Sequence, residues 1–223
     1  QRLGIARASD LEQRGHQIAT CITPWLMPPF ARLTAGPLTT SALRMPPSAV
    51  QALYWLNGVI DTCEGVVGVA FCFGDGSGAQ CPCGNNAALG AGTGCASSLG
   101  VGANLAANGI ASLANDTVQL VGTGMPNSNA LYFQGTLVSA SGAGSAFGDG
   151  LLCAAGTVVR LGARTNTGNA SQYPRVGDQP LSQKGQVTAG ASRIYQVWYR
   201  NAVPYCTAST FNLSNAVQVV WAP

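Results

Sequence analysis

The sequence has one histidine, His16, one lysine, Lys184, and acidic or basic side chains at only 9% of its 223 residues. Each scarcity removes a class of function. A serine hydrolase of the Ser-His-Asp kind needs a histidine base. His16 falls in a stretch read as an exposed helix, and the chain has no Gly-x-Ser-x-Gly elbow. The nearest variant, Ala96-Ser97-Ser98-Leu99-Gly100, sits among cysteines and small residues and reads as loop. A net charge of +3 carried by scattered arginines cannot lay the basic track that phosphate neutralisation requires, so nucleic acid is not an expected partner. The apolar residues are spread out, with no stretch near the roughly 18 that a membrane helix needs, and no membrane span is expected. Phosphate-loop, dinucleotide, His-Glu-x-x-His and EF-hand motifs are all missing. Disorder is also disfavoured, because 47% of the residues are apolar and the net charge is small.

Cysteine is plentiful. Eight occur, at Cys21, Cys63, Cys72, Cys81, Cys83, Cys95, Cys153 and Cys206. An even count with almost no histidine points to disulfides and an oxidising compartment, hence to a secreted or cell-surface protein. Cys81-Pro82-Cys83 is too close and stiff to bridge with itself. Each of the pair is expected to reach outward, to Cys72 and Cys95 in one order or the other. That leaves Cys153 with Cys206 as a long-range staple and Cys21 with Cys63 closing an N-terminal extension. The rival reading, a four-thiolate zinc site at Cys72, Cys81, Cys83 and Cys95, suffers from its central spacing, because zinc knuckles separate paired ligands by two to four residues. The chain opens at Gln1 without a charged-then-apolar leader. This fits either a cleaved signal peptide or a numbering that begins inside a longer chain.

Residues 1–64 hold six of the twelve prolines and read as a partly helical, proline-rich extension. One helix is expected near residues 9–19. A second starts at Ser48, which forms a capping box with Gln51. The segment has too little continuous apolar periodicity for a core of its own, so it is expected to be pinned to the rest or to a neighbouring copy. From residue 65 to 223 the pattern changes to short alternating runs separated by Gly, Asn, Asp and Pro. Strands are expected at 66–73, 117–122, 130–138, 157–163, 185–188, 193–200 and 216–221. Reversals are expected at Asn108-Gly109, at Gly124-Met125-Pro126-Asn127 and around 165–168. No helix long enough to make βαβ units intervenes. The expected class is therefore all-β, an antiparallel β-sandwich or jelly roll, disulfide-stapled.

Two features carry candidate chemistry. Phe73-Gly74-Asp75-Gly76 is echoed by Phe147-Gly148-Asp149-Gly150. The plain reading is two tight turns with positive-φ glycines and core-plugging phenylalanines. No cofactor is expected on the plain reading; the functional reading makes Asp75 and Asp149 a carboxylate pair, ligands for calcium or acid and base in a glycosidase-like hydrolase. Aromatic residues then gather late in the chain. Tyr173, Tyr195 and Tyr199 with Arg193 and Arg200 form a candidate stacking surface for sugar rings. Trp198 faces the opposite way from Tyr195 and Tyr199 on the same strand, so one set is core and the other a platform, and the plain reading packs all of them inside or at the strand ends. Asn115, Asn169 and Asn212 each open a formal glycosylation sequon.

The ordered segments Phe71-Cys-Phe-Gly-Asp-Gly-Ser-Gly-Ala-Gln-Cys-Pro-Cys-Gly-Asn, Gly94-Cys-Ala, Leu131-Tyr-Phe-Gln-Gly, Phe147-Gly-Asp-Gly-Leu-Leu-Cys, Tyr195-Gln-Val-Trp-Tyr-Arg and Phe211-Asn-Leu-Ser-Asn resemble an uncharacterised cysteine-containing domain. That domain occurs, often near the C-terminus, in large secreted or surface proteins of environmental bacteria. The resemblance covers about residues 68–223 and implies export and a β architecture, with no activity attached. The function expected is a non-catalytic extracellular module for adhesion, glycan binding or filament assembly, with extracellular polysaccharide or another copy of the chain as partner. The alternative is a secreted hydrolase using its aspartates.

Overall fold

The structure, a computed structural model, describes residues 67–201 and 205–223, within the second of two units into which the chain divides, Glu64–Pro223. The extension, His16 and the Cys21–Cys63 pairing lie outside the described residues. The elements in order are β1 (Val69–Phe71), β2 (Asn104–Asn108), β3 (Gln119–Thr123), β4 (Asn129–Gly135), β5 (Leu137–Val138), β6 (Ser145–Phe147), β7 (Gly150–Leu152), β8 (Ala154–Ala155), β9 (Val159–Thr165), β10 (Ala170–Tyr173), the one-turn helix α1 (Leu181–Lys184), β11 (Ser192–Arg200), β12 (Phe211–Leu213) and β13 (Ala216–Val220). Every strand pairing among the described residues is antiparallel. Among the described residues, no helix is long and apolar enough to cross a membrane.

A six-stranded sheet runs β1-β13-β11-β4-β9, with β12 also beside β11. Its central strand β11 is covered on both faces in its middle, where Ile194, Tyr195, Gln196 and Val197 are all buried. One face presents Tyr195, Val197 and Tyr199. With Tyr132 of β4 and Val217 and Val219 of β13 these join Leu105, Ala107 and Leu120 of the three-stranded sheet β10-β3-β2, giving a sandwich core. The other face presents Ile194 and, from neighbouring strands, Phe133 and Leu213. These pack with Leu151, Ala154, Cys72, Cys81, Cys95 and Cys153 into a second core.

β12 and β13 are in effect one strand interrupted by a bulge. Trp198 faces Leu213 and Tyr195 faces Val217, a slip of one residue in register, which is what an inserted residue does to a ladder. Ser214 keeps the break satisfied: its N–H donates to the Val197 carbonyl (3.0 Å) and its Oγ accepts from the Val197 N–H (3.1 Å). Asn215 then reaches across the sandwich. Its Oδ1 accepts from the Leu105 N–H (2.7 Å) and its Nδ2 donates to the Leu105 carbonyl (3.0 Å), so one buried amide supplies the edge pairing that β2 lacks. Such satisfaction is what a buried strand edge requires.

The bridges are Cys72–Cys153, Cys81–Cys95 and Cys83–Cys206, with Cα–Cα distances of 6.2, 5.9 and 5.8 Å. No cysteine is free among the described residues. The expected Cys153–Cys206 staple is therefore corrected, as is any pairing of Cys72 with Cys81 or Cys83. Of the two local orders, only Cys81–Cys95 forms. The cause is tertiary: β1 delivers Cys72, and the Gln196 clip described below holds Cys153, onto the same face of the large sheet. No thiolate remains in residues 72–95 for a zinc site.

The three reversals fall where the glycines stand. Gly168 and Asn169 both have positive φ (60° and 61°) in the turn between β9 and β10, the conformation for which a Gly-Asn pair is suited. The strand expected at 185–188 is corrected. Gly185 caps α1, and the Val187 N–H closes back onto the Ser182 carbonyl (2.9 Å). Conversely β2, Asn-Leu-Ala-Ala-Asn, lacks any β-branched or aromatic residue. It is a strand because Leu105 and Ala107 bury on one side of it.

Candidate functional site

Alternation along β11 decides which candidate residues meet. Arg193, Tyr195, Val197 and Tyr199 share one face, and Ile194, Gln196, Trp198 and Arg200 the other. Arg193 and Arg200 thus cannot act together. Tyr195 and Tyr199 are buried in the sandwich core, where the Trp221 indole Nε1–H donates to the Tyr195 hydroxyl (3.0 Å). Tyr173 is also buried, its ring stacked on Tyr132 with the Arg164 guanidinium 4.8 Å above it. These three tyrosines offer no ring to a ligand, which corrects the stacking surface drawn from the sequence.

Burial pushes the phenol groups of Tyr132, Tyr173, Tyr195 and Tyr199 above the ordinary tyrosine range, because an apolar surround disfavours phenolate. The raised value means that the folded state holds its protons longer than the unfolded chain. Stability is therefore full below the ordinary tyrosine value of 10.0 and falls as pH rises beyond it. In a spectrophotometric alkaline titration, phenolate absorbance from these four is expected to appear together with loss of the β circular-dichroism signal. Their gradual ionisation in a still-folded protein would contradict the packing.

The echoed aspartates occupy different settings and share no partner. Asp75 braces an exposed loop, accepting from the Ser77 hydroxyl (2.5 Å), the Ser77 N–H (3.0 Å) and the Gly90 N–H (2.9 Å). These bonds, that from the Ser77 hydroxyl foremost, hold its carboxyl below the usual range. Asp149 lies in the two-residue turn of the β6–β7 hairpin, where Gly148 has φ +62°. It is fully buried. One carboxylate oxygen accepts from the Thr207 N–H (3.0 Å) and hydroxyl (2.6 Å), and the other from Asn201 Nδ2 (3.4 Å). The ligand-type atoms of Cys83, Asp149 and Cys206 lie within 4.8 Å of one another. Both sulfurs are bonded to each other, which leaves only the carboxylate as a donor. The other two aspartates of this unit are likewise engaged: Asp116 accepts from the N–H groups of Val118 and Ser182, and Asp178 from the Arg164 guanidinium and the Arg175 N–H. The formal sequon residue Asn212 is buried and donates to the carbonyls of Cys95 and Ala96, whereas Asn115 and Asn169 are exposed.

The remaining aromatics converge on the second face of β11. Trp198 and Arg200 stand two residues apart, and Phe211 lies opposite Arg200 on β12. The tip of the β6–β7 hairpin is tied to Phe211 by the Asp149 N–H on the Phe211 carbonyl (3.0 Å), and this brings in Phe147. Phe147 and Phe211 have ring centroids 4.9 Å apart, and Phe211 and Trp198 5.4 Å, tilted by 54° and 33°. The Arg200 guanidinium sits 5.3 Å from the Trp198 ring centre, and its Nη1 donates to the Thr210 hydroxyl (2.9 Å). Trp198 and Phe211 are half-buried where the second core reaches the surface. Phe147, expected as a core plug, is instead 45% exposed. The result is an aromatic row flanked by a cation. Sequence reasoning placed Arg200 here and missed Phe147 and Phe211. The alternation that sets Trp198 against its tyrosine neighbours was the available signal.

No family model, curated protein or solved structure matches the chain.

Proposed function

We propose that this disulfide-bonded β unit is a non-catalytic extracellular module that binds polysaccharide along the Phe147–Phe211–Trp198 row. The observation that supports this reading is the row itself. Three aromatic rings in contact reach the surface beside a guanidinium, so sugar C–H faces and hydroxyl groups each have a complementary surface. Export is supported by three disulfides among the described residues, which persist in oxidising compartments, and by the resemblance to a domain of exported bacterial proteins.

Titration calorimetry with cellohexaose and chitohexaose, run beside a wider glycan array, tests the proposal. Trp198→Ala is expected to weaken the binding found by at least about tenfold, equivalent to about 1.4 kcal/mol. Tyr205→Ala, at an exposed ring outside the row, should leave it within about twofold. Binding that survives in Trp198→Ala, or an array with no saccharide bound, would overturn it.

A further inference from the structure

We infer that the Cys83–Cys206 disulfide is a redox-labile clasp that keeps the aromatic row assembled, so that a dithiol reductant opens the row and lowers its affinity for saccharide. The second half of this statement rests on the function proposed above. The first half stands on geometry alone.

The three bridges differ in access. Cys72, Cys81, Cys95 and Cys153 are all buried in the second core, whereas Cys83 is exposed. Thiol–disulfide exchange needs in-line approach of a thiolate to a sulfur, so access ranks the bridges and Cys83–Cys206, in which neither cysteine is buried, is attacked first, with Cys83 taken as the entry. The incoming thiolate bonds to Cys83 Sγ and the S–S bond breaks. The electron pair leaves on Cys206 Sγ, which then takes up a proton. The second thiol of the reductant resolves the mixed disulfide, and a second protein thiol is formed. Two electrons and two protons pass from the dithiol, which ends as a disulfide.

The sulfur released at Cys206 lies 3.6 Å from a carboxylate oxygen of Asp149. Among the described residues, no cation is paired with that carboxylate. Once the bridge is open, residue 206 is tied to Asp149 only through its neighbour Thr207. Thr207, the next residue, supplies two of the hydrogen bonds that hold Asp149, and Ser209 is fixed in turn by the Thr207 hydroxyl (3.0 Å). Asp149 is also the joint of the row, since its N–H holds Phe211 and its hairpin carries Phe147. At the other end of the same loop, Thr210 bonds both the Asn201 N–H (2.9 Å) and Arg200. A single exposed bridge therefore anchors the segment that holds Phe147, Phe211 and Arg200, three of the four members of the row, against Trp198 on β11. If opening leaves the assembled row only a tenth populated, the apparent dissociation constant rises tenfold.

The test uses the full chain. Limited dithiothreitol treatment, quenched by alkylation and mapped by mass spectrometry, should find Cys83 and Cys206 labelled at least about ten times faster than Cys72, Cys81, Cys95 and Cys153. Hydrogen exchange on that partially reduced protein, and on the Cys83→Ser/Cys206→Ser double variant, should rise across residues 205–212 and 145–149 while β11 and β13 stay protected. Affinity for whichever of cellohexaose or chitohexaose binds the untreated protein should fall at least about tenfold. Equal labelling rates, or unchanged exchange at 145–149, overturn the clasp. Altered exchange with unchanged affinity overturns its control of binding. If neither sugar binds at all, the proposed function fails while labelling and exchange still decide the clasp. Should the double variant fail to fold, the timed reduction decides alone.

Discussion

Gln196→Leu is expected to lower the free energy of unfolding by about 3–5 kcal/mol, the sum of several lost partners at about 1–3 kcal/mol each, discounted for relaxation. Gln196 is fully buried at the middle of β11 on the face of the second core. Its Nε2 donates to the carbonyls of Leu151 and Ser214, both at 2.8 Å, and its Oε1 accepts from the Cys153 N–H at 2.9 Å. The side chain therefore stitches the central strand to the hairpin layer on one side and to the β12–β13 bulge on the other. Leucine matches the size and is more apolar, so a purely hydrophobic account predicts little change. The hydrogen-bond account predicts a large loss, because three buried backbone groups are left without partners in a region closed to water. Denaturant unfolding with an unchanged m value would read this as stability alone.

Gln134→Leu makes the internal control. Gln134 is as buried as Gln196. Its Nε2 donates only to the Gly185 carbonyl (2.6 Å), and its Oε1 has no partner among the described residues. Removing this amide orphans one carbonyl and relieves one unsatisfied acceptor, so the net cost is about 1 kcal/mol or less. Similar losses for the two variants would show that side-chain shape, and not the polar network, sets the energetics.

This contrast also marks how far the sequence can be read. Glycine and asparagine place the reversals, because positive φ is a local demand that Gly124, Gly109 and the Gly168-Asn169 pair answer by themselves. The longer strands are legible for a similar reason, since β4, β9, β11 and β13 carry enough β-branched and aromatic residues to favour the pleat. Gln196 gives no such signal. A glutamine between Tyr195 and Val197 reads as the solvent side of a half-buried strand, and only the layer laid over it by β7 and β8 makes it a core residue. Cysteine partners are hidden in the same way, because Cys72 and Cys153 are 81 residues apart and meet only through the sheet. The candidate site suffers most. Which face of β11 is sandwiched and which reaches the surface depends on β2, a strand whose Asn-Leu-Ala-Ala-Asn sequence carries almost no β propensity. The tyrosines and the tryptophan thus exchange roles with no change in local pattern.

Removing Cys72–Cys153 as a Cys72→Ala/Cys153→Ala pair is expected to cost more than removing either other bridge. Chain entropy alone points elsewhere. For single loops of 81, 14 and 123 residues, the closure term is about 4.5, 3 and 5 kcal/mol respectively. Cys83–Cys206 leads Cys72–Cys153 by only about 0.4 kcal/mol on that measure, a margin smaller than the packing difference between the two. Cys72 and Cys153 lie in the second core against Leu151 and Ala154, so truncating both sulfurs leaves a cavity that costs at least about 1 kcal/mol more. Cys83 is exposed, and water fills what its sulfur vacates. The expected order of loss is Cys72–Cys153 first at about 5 kcal/mol or more, Cys83–Cys206 next, and Cys81–Cys95 last. Calorimetric melting of the three double variants at matched pH reads the order, and the denaturant m value should rise in each as the unfolded chain is released. If Cys83–Cys206 proves the most costly, loop entropy outweighs core packing here, and the second core is looser than its buried residues imply.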